Sequence, residues 1–322
     1  MLDMKQSDQN RPLASQDYRP EASKPRNGIA VALGGGVARG WSHIGVLRAL
    51  DEANIPVRMI AGTSIGALVG GCYMAGKLDI LEDFARSLTP RRIVGLLDFS
   101  LRGSGIISGI KLAERMEDDL GDIHLENMAK PMVCVATEIN TGHEIWLTEG
   151  PLISAMRASY ALPGIFEPVP IGKRLLVDGA LVNPVPVSVC RAYEADAVVA
   201  VNLNADVFGR GTVVRNASAE LTGTEQVTAP KNKKQQKLDR LGNAMGLTSV
   251  MVESFNIIQD RIARSRMAGD PPDISIRPTV GEIGLAEFHR ADEAIDLGYE
   301  AARREMPRLK DFADQETAKE VA

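Results

Sequence analysis

Cysteine is scarce in this 322-residue chain: Cys72, Cys134 and Cys190 stand far apart, each among apolar neighbours. Three scattered thiols build neither a disulfide framework nor a metal cluster, so no metal or cofactor is expected, and a reducing, cytoplasmic setting is. Histidine is nearly as rare, with four copies. An excess of one charge is also lacking: 37 Lys and Arg against 42 Asp and Glu leave a net charge of -5, with basic residues spread along the chain. That distribution offers no footprint for nucleic acid. No apolar segment interrupts Met1 to Pro25, so this stretch reads as a loose polar tail and not as a secretory signal. The longest uncharged run, Met59 to Gly76, approaches membrane-spanning length, but its Thr63, Ser64 and five glycines suit a strand, a tight turn and a helix better.

What is present suffices for a large core, with 44% apolar and 25% charged residues. Gly28 to Leu33 is an apolar run closed by three glycines, as expected of a buried parallel strand entering a loop. Helical spacing follows over Gly40 to Ala53 until Asn54-Ile55-Pro56 breaks it. Further strands are expected at Arg58–Ala61, Met132–Ala136, Leu175–Val177, Ala197–Val201 and Asp273–Arg277. Helices are expected at Gly66–Ala75, Ile80–Leu88, Lys111–Leu120 and Pro151–Ser159. Strands alternating with helices predict an α/β protein with a mostly parallel central sheet. From Leu247, apolar residues recur at Val250, Met251, Phe255, Ile258 and Ile262, which predicts an amphipathic helix packing back on the core. A last helix is expected over Ala291–Arg304. The predicted organisation is a tail at 1–26, one domain at 27–304 with an exposed excursion at 206–240, and a charged tail at 305–322.

Two glycine-rich turns carry the chemistry. Gly62-Thr63-Ser64-Ile65-Gly66 is a GxSxG sequence between a predicted strand and a predicted helix, the setting in which a sharp turn pushes a serine hydroxyl out at a strand end. The bland alternative is a glycine-rich turn with an incidental serine. Gly34-Gly35-Gly36-Val37-Ala38-Arg39-Gly40 sits in the same kind of setting, and successive amides there can converge on an oxyanion. A phosphate loop would need Gly-Lys-Ser/Thr, whereas Trp41 and Ser42 follow Gly40. A dinucleotide fingerprint fails on spacing and on its missing acidic partner. None of His43, His124, His143 and His289 has a persuasive setting as the serine's base. Asp178 in Val177-Asp178-Gly179-Ala180 stands at a predicted strand end, although an isolated DG pair is ordinarily a β-turn.

The glycine loop with Arg39, the elbow around Ser64 and the Asp178-Gly179-Ala180 triplet, in that order, resemble the patatin-like phospholipase family. Arg157–Phe166, Asn183–Pro186 and Met267–Asp273 extend the resemblance toward the bacterial RssA-type branch, related to the catalytic domain of neuropathy target esterase. The likeness spans about Asn27 to Arg304. It implies a three-layer α/β/α patatin-like fold and a Ser-Asp dyad without histidine. Ser64 would attack a lipid ester and Asp178 would take its proton, while the amides of Gly35, Gly36 and Val37 hold the oxyanion. Gly34, Gly40, Gly62, Gly66 and Gly179 would shape the loops, and Arg39 would brace the first loop or pack the following helix. An aspartate near its ordinary pKa of about 3.9 is a weak base for a hydroxyl, so such a dyad would lean on preorganisation. The substrate implied is a lysophospholipid or phospholipid; an acyltransferase on the same fold and a regulator with a vestigial site are the competing readings. Lys231, Lys233, Lys234 and Lys237 in the excursion could touch anionic headgroups at the inner membrane surface, or form a solvated loop.

Overall fold

A computed structural model describes residues 28–96, 116–193, 195, 197–206 and 247–321. The expected tail at 1–26, residues 207–240 of the excursion and the first part of the helix expected at Lys111–Leu120 lie outside the described residues. Along the chain run β1 (Ile29–Leu33), a 3-10 turn (Val37–Trp41), α1 (Ser42–Glu52), β2 (Val57–Thr63), α2 (Ile65–Met74), α3 (Leu78–Arg86) and α4 (Pro90–Leu96). Then come β3 (Met132–Glu138), β4 (Glu144–Leu147), α5 (Leu152–Tyr160), β5 (Val169–Ile171), β6 (Arg174–Asp178) and α6 (Val187–Ala192). The chain continues through β7 (Val198–Val201), α7 (Leu247–Gly269), β8 (Ile274–Ile276) and α8 (Ala291–Val321).

The eight strands form one mixed sheet in the order β5-β6-β3-β2-β1-β7-β8, with β4 also paired to β3. β1, β2, β3, β7 and β8 are mutually parallel, as expected from the alternating pattern; β4 and β6 pair antiparallel with β3, and β5 pairs antiparallel with β6. Every residue of β1, β2, β3 and β7 is buried, because helices cover both faces. The period of two divides their side chains. Ile29, Val31 and Leu33 of β1 join the larger core under α1, α2, α5 and α8, while Ala30 and Ala32 join a smaller core under α6 and the end of α7. The three-layer α/β/α architecture follows directly.

The register of β3 decides where the site forms. β2 pairs with Met132–Val135 and β6 with Ala136–Glu138, while β4 overlaps both stretches from Cys134 to Thr137. A strand has only two edges, so β2 and β6 must share one, end to end. Thr63 faces Val135 and Asp178 faces Ala136, which brings the two strand tips together.

Two helices depart from expectation. In α7, Val250, Met251 and Ile258 are exposed while Phe255 and Ile262 are half-buried as expected, and the helix buries Asn256, Gln259 and Asp260 over the polar glycine loop before Ala263 enters the smaller core. The final helix does not stop at Arg304 but continues to Val321, with Met306 and Leu309 one turn apart in the core.

Candidate active site

Ser64 links the last residue of β2 to the first of α2 with φ 56° and ψ −124°. A non-glycine residue in that region costs about 1–3 kcal/mol and survives only where neighbours dictate it. They do so here by close approach. A Cβ on Gly62 would lie 2.5 Å from the Gly66 carbonyl oxygen and 2.6 Å from Ala67 Cα, and one on Gly66 would lie 2.6 Å from the Leu33 carbonyl carbon. Three hydrogen bonds fix the elbow. Thr63 Oγ1 donates to Asn183 O at 2.8 Å, the Ser64 N–H donates to Ser159 Oγ at 2.9 Å, and Ser159 Oγ donates to Val135 O at 2.6 Å. Only 8% of Ser64 is exposed.

Asp178, the last residue of β6, is 1% exposed. Its Oδ2 accepts from Ser64 Oγ at 2.7 Å and its Oδ1 from the Ala180 N–H at 2.8 Å. The backbone is held on both sides, with the Asp178 N–H on Ala161 O at 2.9 Å and Thr137 Oγ1 on Asp178 O at 2.9 Å. A Cβ on Gly179 would lie 2.6 Å from the Val135 carbonyl carbon, so the turn after Asp178 can lie flat on β3. Burial pushes the carboxyl up to about 7, against the lowering effect of its bonds to Ser64 and Ala180. The sequence-based expectation of an ordinary carboxylate near 3.9 is therefore corrected: desolvation makes this group a far stronger base.

The glycine loop leans on the same spot. A Cβ on Gly35 would sit 3.6 Å from Ser64 Cβ, 3.4 Å from Ala180 Cβ and 3.0 Å from Gln259 Oε1. Gly34 N–H donates to Val201 O at 3.1 Å and Gly35 N–H to Pro184 O at 3.0 Å. Among the described residues the amides of Gly36 and Val37 have no acceptor, so of the three expected oxyanion donors, Gly35 is engaged and the other two are free. Left-handed backbone falls on Val37, φ 52°, while Gly36 is extended at φ 170°. Glycine at 40 is required by space, since a Cβ would lie 2.7 Å from Ile65 Cβ, whereas at 36 a Cβ would meet only the Leu203 side chain, most closely its movable Cδ1 end at 2.6 Å.

Arg39 is buried, and its Nε donates to Ile283 O at 2.8 Å, tying the loop to the segment before α8. Burial works against its charge, partly offset by Glu253 and Asp206. His43 is also buried. Its Nε2 lies 2.8 Å from Gly34 O; a carbonyl only accepts, so this nitrogen carries the proton, and burial holds the ring neutral with a pKa of about 4. It braces the loop from below. His124 pairs with Glu126, and His143 and His289 are exposed. Among the described residues no histidine bonds to Ser64 or Asp178. Sequence reasoning weighed His43 only as a base for the serine and did not single out Ser159, Thr137 or Pro184; of these three, Ser159 and Pro184 lie in stretches that carried the family resemblance.

A serine on a constrained elbow, bonded to a buried carboxylate and flanked by unpaired amides, is the equipment of a hydrolase acting on esters. The chain belongs to the patatin-like phospholipase family, whose profile matches residues 31–191. A Mycobacterium tuberculosis protein described as an uncharacterized NTE family protein is 32% identical over 346 aligned positions, covering 92% of this chain and 96% of the relative. Neuropathy target esterase sws of Drosophila melanogaster is 29% identical, covering 85% of this chain and 19% of that protein. A patatin-like phospholipase domain-containing protein of Caenorhabditis elegans is 36% identical over 180 positions, 54% of this chain and 13% of the relative. Membership sets the class of activity as ester hydrolysis.

Proposed function

We propose that the protein cleaves carboxylic esters of lysophospholipids or phospholipids through a Ser64–Asp178 dyad that needs no histidine. The observation that carries this reading is the 2.7 Å bond from Ser64 Oγ to a carboxylate whose burial raises its pKa to about 7. Ser64 Oγ attacks the ester carbonyl as Asp178 takes its proton. The amides of Gly36 and Val37 receive the developing negative charge, and Gly35 joins them only by releasing Pro184 O. Asp178 then protonates the departing alcohol, leaving an acyl-Ser64 ester. A water molecule, deprotonated by Asp178, attacks this ester and releases the fatty acid, returning the proton to Ser64. The working unit is the one domain that starts at about residue 27 and includes α8 past its core residues Met306 and Leu309, acting in the cytoplasm on lipid presented at the inner membrane surface. Among the described residues no helix is long and apolar enough to cross a membrane, so contact would be peripheral.

The test is labelling with a fluorophosphonate, followed by mass mapping of the modified residue. Label should fall on Ser64, and Ser64→Ala should lose both labelling and lipid ester turnover while melting as the wild type does. A label on a different serine would overturn the assignment.

A further inference from the structure

Over its first half α7 is amphipathic in the opposite sense to a core helix. It turns Asn256, Gln259 and Asp260 inward, all at most 3% exposed, onto the Gly179–Leu181 turn and against Gly35, and only further on does Ala263 enter the smaller core. Among the described residues Asn256 Nδ2 and Gln259 Oε1 have no hydrogen-bond partner. Its outer face carries Val250, Met251, Ile257 and Ile258, each between 45% and 48% exposed. Six large apolar side chains are exposed among the described residues, and these are four of them. With exposed Ser254 and Arg261 they fall on one stripe at positions i, i+1, i+4, i+7, i+8 and i+11. The apolar surface continues sideways, since Met251 rests on Gly164 beside the half-buried Pro163 and Ile165.

A soluble helix ordinarily turns such a stripe inward; one that turns it outward has another partner. We propose that the outer face of α7 docks on a lipid surface, with Val250, Met251, Ile257 and Ile258 entering the acyl boundary and Arg261 meeting headgroup phosphates. Two features favour lipid over a second copy of the chain. Four half-exposed side chains on one helix fall far short of the roughly 800 Å² per partner that a stable protein interface buries. They do match a helix lying in the interfacial plane with a cation at the end of its apolar stripe. Resting on the lipid-ester reading, docking has a further consequence: the inner face of the same helix touches the glycine loop beside Ser64, so the docked protein presents its site to the layer holding the substrate.

The binding arm uses the full chain carrying Ser64→Ala, which needs no turnover. It should cosediment with vesicles of phosphatidylcholine and phosphatidylglycerol in equal parts. Adding Ile257→Ser and Ile258→Ser should lower binding about ten-fold, and Ile258→Trp should raise it. In the active protein the serine pair should slow hydrolysis of vesicle lipid while a water-soluble short-chain ester is cleaved at the wild-type rate. Unchanged vesicle binding by a serine pair that melts normally would overturn the proposal, as would a dimer in the parent that the pair abolishes without affecting vesicles. Ile258→Trp keeps the test open if the serine pair does not fold. Failure of every ester to turn over would sink the hydrolase reading alone, because the binding arm does not depend on it.

Discussion

Asp178 shows how a single residue's surroundings set its chemistry. In the proposed dyad its carboxyl must be ionised to accept the Ser64 proton, so kcat/KM should rise with pH through about 7, well above the range of an exposed carboxylate. Asp178→Asn cannot accept that proton. It should lose the pH-dependent limb and at least about 10²-fold in kcat. The same shift has an opposite consequence for stability. Because the folded pKa is raised, the fold binds its proton more tightly than the unfolded chain does, so the stabilisation is complete below about 4 and is lost as pH rises through about 7. Melting curves should therefore place Asp178→Asn several degrees above the wild type at pH 8, with the gap shrinking toward pH 5. A variant less stable at pH 8 would count against a buried charge. Sequence pattern could find Ser64, since an elbow has a local signature. It could name Asp178 only through family likeness, because a DG pair looks like any turn. The shifted pKa was illegible, being a product of burial by residues remote in sequence.

Elements supply the rigidity that the site residues lack. α5 contributes Ser159, which receives the Ser64 amide and passes a bond to β3. Ser159→Ala should leave that buried N–H without an acceptor, costing about 1–3 kcal/mol in denaturant unfolding. It should also lower kcat about ten-fold with KM little changed, since the elbow's φ and ψ lose a restraint; an unaltered kcat would show that the glycine packing alone holds the turn. Long, strongly periodic elements were legible: β1, β2, β3, α1 and α2 lie where the apolar runs and their breakers put them. β4, with three of its four residues half-buried, and β5, three residues with Pro170 at the centre, have no such pattern. For α7 the periodicity was legible but not the direction of its first half, because which face turns inward depends on the surface beneath, there a loop of amides and only further on the smaller core.

At the scale of the whole molecule, the sheet assembles the site. The glycine loop leaves β1, the elbow leaves β2 and Asp178 ends β6, so three strand ends converge although the chain visits them far apart. The α/β class was readable from the alternation of elements. The antiparallel turn of β6 onto the edge of β3 was not, because register depends on pairings that no local pattern encodes. That shared edge also divides the molecule's chemistry between two halves of the chain. A cut in the exposed loop at Gly142 would leave β1 to β3 and Ser64 on one piece, and β4 to β8 and Asp178 on the other. Neither piece alone holds a complete dyad. Mixed together they should regain ester hydrolysis only when β6 zips onto β3, in proportion to the complex formed, and activity without mixing would refute the shared dyad. Two inert fragments would then report their own reunion, with the enzyme acting as the gauge of its own assembly.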